Sequence, residues 1–134
     1  MIPATGAVIA YNASFEKSRI IELAAVFPDL ADALTAIVNR VVDLLRVTRA
    51  NWYHRDQRGS WSIKAVLPTV AAELDYAGLE VKDGGSAQDA YLEVIASDTA
   101  ARRTALDAAL RAYCGRDTEA MIVLARRLMT ELDS

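Results

Sequence analysis

Three side chains have the type and spacing to do chemistry: Glu16 near the start, and Tyr113 and Asp117 near the end. Glu16 follows the apolar run Ala7-Val8-Ile9-Ala10-Tyr11 within Asn12-Ala13-Ser14-Phe15-Glu16. Tyr113-Cys114-Gly115-Arg116-Asp117 lies in a helical pattern far along the chain. An acid at the mouth of a strand, with a tyrosine and a second acid one helical turn apart on a distant helix, is how two-metal phosphodiester hydrolases gather their ligands. Such a centre uses about four acidic groups to hold two divalent ions roughly 3.5–4 Å apart. No acid precedes Asn12, so half of that set is missing.

Each residue has a plainer reading. Asp117 could be a helix N-cap, since Thr118 to Leu132 is a helical run with Glu119 in its first turn. Tyr113 could be a core aromatic at helical spacing from Leu106 and Leu110, and Glu16 a first-turn acid favoured by the helix dipole. His54, the one histidine, fits a loop better than a general base, and Cys114 has no histidine near it in sequence to activate a thiol.

The elements that would position these residues follow from the apolar periodicity. Ala7–Tyr11 is a short buried-type strand between Gly6 and Asn12. Ser14 is placed to cap a helix through Phe27, ended by Pro28 and Asp29. A second helical pattern runs from Leu30 toward Leu45, although Val41-Val42-Asp43-Leu44-Leu45 fits a strand as well. Thr48 to Trp61 is loop-like, and Ser62 to Val70 predicts a short helix stopped at Pro68. Asp83-Gly84-Gly85-Ser86 is a turn ahead of a helix starting near Ala87. Two further helices are predicted, Thr99 to Cys114 and Asp117 to Leu132, with Gly115 kinking or separating them. The fold class is therefore α/β, helix-rich, with an incomplete sheet: one lone strand leaves its backbone edges unpaired. Either a further N-terminal segment or another chain is expected to complete it.

Bulk properties narrow the function classes. A chain of 134 residues with 53% hydrophobic residues suits one domain with a real core. The longest uncharged run, residues 1–15, is too short to span a membrane and lacks a basic signal-peptide start. One cysteine suits a reducing cytoplasm, and without any His/Cys cluster a structural zinc site is not expected. The net charge of −3 argues against a nonspecific duplex binder. Charge is uneven, however. Residues 40–64 carry a net +4 and contain Trp52, Tyr53 and Trp61, whereas residues 65–99 carry a net −6. Cations interleaved with rings are the composition of a single-strand contact, in which Arg58, Trp61 and Lys64 would meet phosphate and base; a solvated loop with aromatic anchors is the plain alternative.

Asn12-x-x-Phe15-Glu16 after a strand resembles the second motif of DEDD-type 3′–5′ exonucleases, which have a ribonuclease H-like fold, and Tyr113-x-x-x-Asp117 resembles the third motif of their tyrosine branch. Gly59-Ser60-Trp61-Ser62-Ile63-Lys64-Ala65-Val66-Leu67-Pro68, Leu74-x-Tyr76 and Asp83-Gly84-x-x-Ala87 are similar to a bacterial domain-of-unknown-function family assigned to that superfamily. Tyr11–Glu16, Arg40–Leu45 and Tyr113-Cys114-x-x-Asp117-Thr118-x-Ala120-Met121 fit the same pattern. The resemblance implies residues 1–134 as one exonuclease-like domain, N-terminally incomplete, corresponding to the C-terminal portion of the ribonuclease H-like fold. It implies Glu16 and Asp117 as ligands of Mg²⁺ or Mn²⁺, Tyr113 as the residue orienting the attacking water, and single-stranded DNA or RNA as substrate. The superfamily's opening Asp-x-Glu pair is not found here, and Glu16 stands where aspartate is usual. This chain alone is therefore expected not to cleave. The competing expectation is a non-catalytic domain that self-associates through its open sheet edge.

Overall fold

The computed structural model describes residues 2–132, which form two compact units: residues up to Trp61 together with the last residues of the final helix from Leu128, and Ser62–Arg127.

The first unit is built around a short parallel strand pair. Strand β1 (Val8–Ala10) and strand β2 (Val41–Asp43) pair with Val8 opposite Val41, Ile9 opposite Val42 and Ala10 opposite Asp43. Parallel strands need a long crossover, and here two helices supply it: α1 (Ser14–Val26) and α2 (Ala31–Val38), joined by a 3₁₀ turn at Pro28–Leu30. Helix α3 (Leu44–Asn51) follows β2 directly. The strand alternative for Val41–Asp43 thus prevails over a helix running on to Leu45, and the predicted loop from Thr48 loses its first residues to α3. Asp43 makes the transition: its Oδ1 accepts from the Leu45 amide at 3.0 Å, capping α3, and from the Asn12 amide at 3.0 Å. Asn12 sits at φ +64° at the exit of β1, a left-handed position that asparagine tolerates. The Arg40 guanidinium donates to the carbonyls of Gly6 and Pro3 at 2.7 and 2.9 Å, tying the segment ahead of β1 to the entry of β2.

Ser14 is not the cap expected for α1. It is the first helical residue, the cap position belongs to Ala13, and no side chain bonds the free amides there. His54 and Gln57 cap a 3₁₀ turn at Arg55–Gln57 reciprocally: His54 Nδ1 accepts from the Asp56 amide, and Gln57 Oε1 accepts from the His54 amide at 2.7 Å.

The second unit holds α4 (Ile63–Val70), α5 (Gly84–Ala96) and most of α6 (Ala100–Leu132). Three sequence expectations are corrected here. Pro68 does not stop α4 but lies inside it, because Ser62 caps the helix and Val66 and Leu67 are fully buried around the lost hydrogen bond. Helix α5 starts at Gly84 rather than near Ala87, because the Asp83 and Ser86 side chains cap each other's backbone amides. Gly115 separates nothing: α6 is continuous for 33 residues. Two apolar clusters form the core of this unit. Leu67, Ala71, Tyr76 and Ala120 make one, Val81, Ala90 and Leu106 the other, and Tyr113 packs against both.

Candidate functional site

Continuity of α6 decides how its two motif residues are presented. One turn apart on an unbroken helix, Tyr113 and Asp117 share a face, and Asp117 lies seventeen residues into α6, which removes the N-cap reading. Its carboxylate has a side-chain partner instead. The Tyr76 hydroxyl donates to Asp117 Oδ1 at 2.7 Å. The Tyr76 and Tyr113 rings stand 6.3 Å apart, tilted by 56°. Burial pushes the Tyr113 hydroxyl up to about 12, and the neighbouring Asp117 carboxylate adds to the shift by repelling a phenolate. Burial likewise raises Tyr76, reinforced by the bond to Asp117.

Lys64 completes this cluster. It is half-buried on α4, its ammonium 5.2 Å from the Tyr76 ring centre and 5.6 Å from that of Tyr113. It also donates to the Lys82 carbonyl. A cation over the face of an aromatic ring is drawn to the ring's negative face, so Lys64 packs on both tyrosines. Lysine, two tyrosines and aspartate thus form a connected polar network inside the second unit. Tyr76 is the member that sequence reasoning gave no role. Forty-one positions separate it from Asp117, and only its presence in the Leu74-x-Tyr76 pattern hinted at it.

Glu16 belongs to the first unit, in the first turn of α1. Its Oε2 is shielded from solvent and has no hydrogen-bond partner among the described residues. An orphaned carboxylate oxygen suits a cation, because a buried acceptor is seldom left unsatisfied. Asp117 suits one less well, with Oδ1 engaged by Tyr76 and the Lys64 ammonium beside the same rings. Among the described residues, no group of three or more His, Cys, Asp or Glu side chains could hold a metal ion. The donor set of the described residues therefore does not fit a two-ion centre.

The residues expected to meet nucleic acid are divided. Arg58 and Trp61 lie in the first unit and Lys64 in the second. Arg58 is exposed at φ +50° and Gly59 follows at φ +81°, so two consecutive left-handed residues turn the chain toward Trp61. Trp61 is half-buried, with the Tyr53 ring 6.1 Å away, the Arg49 guanidinium 5.8 Å from its centre, and its carbonyl accepting from the Tyr11 hydroxyl at 2.7 Å. Tyr53 is the exposed ring of the group, at 65%. Burial raises the Tyr11 hydroxyl to about 12, opposed by Arg49 and assisted by Asp43. No helix among the described residues is long and apolar enough to cross a membrane.

Residues 1–62 match the family model described as a domain of unknown function (DUF2779), a stretch that covers the N-terminal segment of the first unit. No curated protein and no solved structure matches the chain.

Proposed function

We propose that this chain carries the tyrosine–aspartate arm of a nuclease-like centre, of the DEDD 3′–5′ exonuclease kind, directed at single-stranded DNA or RNA in a reducing cytoplasm. By itself the chain does not cleave. The observation carrying this reading is the presentation of Tyr113 and Asp117 on one face of an unbroken helix, with the carboxylate fixed by Tyr76. That is the spacing and rigidity a positioned water and its acidic neighbour require. The orphaned Glu16 oxygen supports the same reading from the other motif. Mg²⁺ or Mn²⁺ would be the ion class served, and the remaining acids would come from outside this sequence. The test is a polypeptide in which an apolar strand bearing Asp-x-Glu precedes Gly6, given end-labelled single-stranded DNA and RNA. Release of mononucleotides with Mg²⁺ or Mn²⁺, abolished by Asp117→Ala, is the expected result. Cleavage indifferent to Asp117→Ala, or none in the extended chain, overturns the proposal.

A second reading, a non-catalytic interaction domain, is favoured by the sheet. Among the described residues β1 and β2 pair only with each other, and Ile9 and Val42, opposite one another, are 42% and 40% exposed. The Val8 amide donates inward to the Arg40 carbonyl, so alternation along a parallel strand turns the Ile9 backbone to the open edge. A third strand added there would pair with it. Ile9→Pro removes that outward amide and, on this reading, abolishes association through the edge.

A further inference from the structure

Helix α1 is rich in apolar residues, yet none of its thirteen residues is buried. Phe15, Ile21 and Val26 are 65%, 58% and 67% exposed, and Leu23, Phe27 and the following Leu30 are 46–49% exposed. A helix with such a surface normally packs it against something.

Four exposed residues of the helix fall on one line. Phe15, Arg19, Glu22 and Val26 are spaced four, three and four apart, the spacing of a coiled-coil seam that stays on one face. Apolar residues end the seam and a charge pair fills its middle. Arg19 and Glu22 form an ion pair, and the Arg19 guanidinium also lies 5.4 Å from the Phe15 ring centre. The order is also self-complementary. In an antiparallel pairing about a two-fold axis near residues 20 and 21, Phe15 meets Val26 of the other helix, and Arg19 meets Glu22, twice over. Isologous contacts require this reciprocity, and antiparallel seams pack in this alternation.

We propose that α1 is the contact surface for a second copy of this chain, seam on seam and antiparallel, with Arg19 and Glu22 of the two copies forming a central charge quartet. A thirteen-residue helix is about 20 Å long. Even with Leu23, Phe27 and Leu30 flanking the seam, the contact falls short of the roughly 800 Å² per partner of a standard specific interface, at the small, transient end. The dimer is therefore weak and concentration-dependent. Glu16, a quarter-turn from Phe15 around the helix, lies off the seam, and the inference does not depend on the nuclease reading.

The test is complementary charge reversal, followed by sedimentation velocity over roughly a hundredfold range of concentration. Arg19→Glu places four acids at the centre of a homodimer, and Glu22→Arg places four cations there. Each variant alone should dimerise at least about tenfold more weakly than the parent, because like charges across an interface repel strongly. Mixed in equal amounts, the two should recover a dimer, and the double variant R19E/E22R should recover it alone. Recovery by mixing also shows that neither variant has lost its fold. Phe15→Glu should remain monomeric throughout while keeping its helical circular dichroism. A parent that stays monomeric, single variants that dimerise like the parent, or a mixture that fails to associate overturns the assignment. So does association that ignores both reversals and disappears with Ile9→Pro, because it would then belong to the sheet edge.

Discussion

Gly115→Ala is the sharpest perturbation of the candidate site, because its sign depends on whether α6 runs unbroken past Asp117. In the continuous helix Gly115 is exposed and has a negative φ, and a Cβ added there meets no atom within 4 Å. Nothing need move to admit the methyl group, so the whole effect is the backbone entropy that glycine loses on entering a helix. Relative to alanine that is about 0.5–1 kcal/mol. The variant is therefore expected to be more stable by about that amount, which raises the melting temperature by roughly 2–5 °C for a chain of this size. Were Gly115 instead the left-handed terminator of one helix, with Asp117 capping the next, alanine would be forced into a left-handed conformation. It would then cost about 1 kcal/mol or more. Thermal unfolding by far-UV circular dichroism, with urea titration as a second measure, separates a gain from a loss. A destabilised Gly115→Ala protein would refute the unbroken helix, and with it the shared face of Tyr113 and Asp117.

Three further outcomes follow from the same geometry. Tyr76→Phe removes a hydroxyl bonded to a carboxylate at 2.7 Å and should cost about 1.5–3 kcal/mol by urea denaturation. In a cycle with Asp117→Ala the two losses should couple by at least about 0.5 kcal/mol, and strict additivity would break the pair. Tyr11 and Tyr113 are raised from 10 to about 12, and Tyr76 is raised too. The native state thus holds protons that the unfolded chain releases above its ordinary value, so stability is present below pH 10 and falls as pH climbs toward 12. Absorbance near 295 nm should show these three phenols ionising late and in step with unfolding, whereas early ionisation of all three would contradict their burial. Asp43→Ala frees the Leu45 and Asn12 amides, and loss of the cap should cost about 1–2 kcal/mol. Hydrogen exchange should quicken at both amides, and unchanged protection would show that Asp43 joins nothing.

Local chemistry made much of the fold legible. The apolar run between Gly6 and Asn12 gave β1, and Pro28 ended α1, because short buried strands and proline breaks are written in neighbouring residues. Val41–Leu45 stayed open because its apolar pattern fits either element; pairing with β1, some thirty residues earlier, decides it. The errors at Pro68, Gly84 and Gly115 share a cause. Each is a poor helix former whose local cost is outweighed by neighbours: the cap at Ser62 with buried Val66 and Leu67, the Asp83–Ser86 box, and a 33-residue helix anchored by buried Leu106, Ala120 and Leu124. Tyr113 and Asp117 were legible at the site because one helical turn is a sequence distance. Tyr76 and Lys64 were not, since only tertiary packing brings them to that turn.

Lys64 shows how such packing can reassign a residue. A lysine in a basic, aromatic stretch invites a phosphate, yet its ammonium already donates to the Lys82 carbonyl and lies over two tyrosine rings beside Asp117. Turning it toward a nucleic acid would forfeit those contacts. The same logic weighs on Trp61, whose ring already has the Arg49 guanidinium and Tyr53 beside it. Tyr53 and Arg58 are both exposed, and Tyr53 has only its tilted contact with the Trp61 ring to give up. If a single strand is bound along this stretch, stacking and phosphate contacts fall first to Tyr53 and Arg58. Lys64 then serves the site indirectly, as a cation packed on the two tyrosine rings, one of which bonds the Asp117 carboxylate.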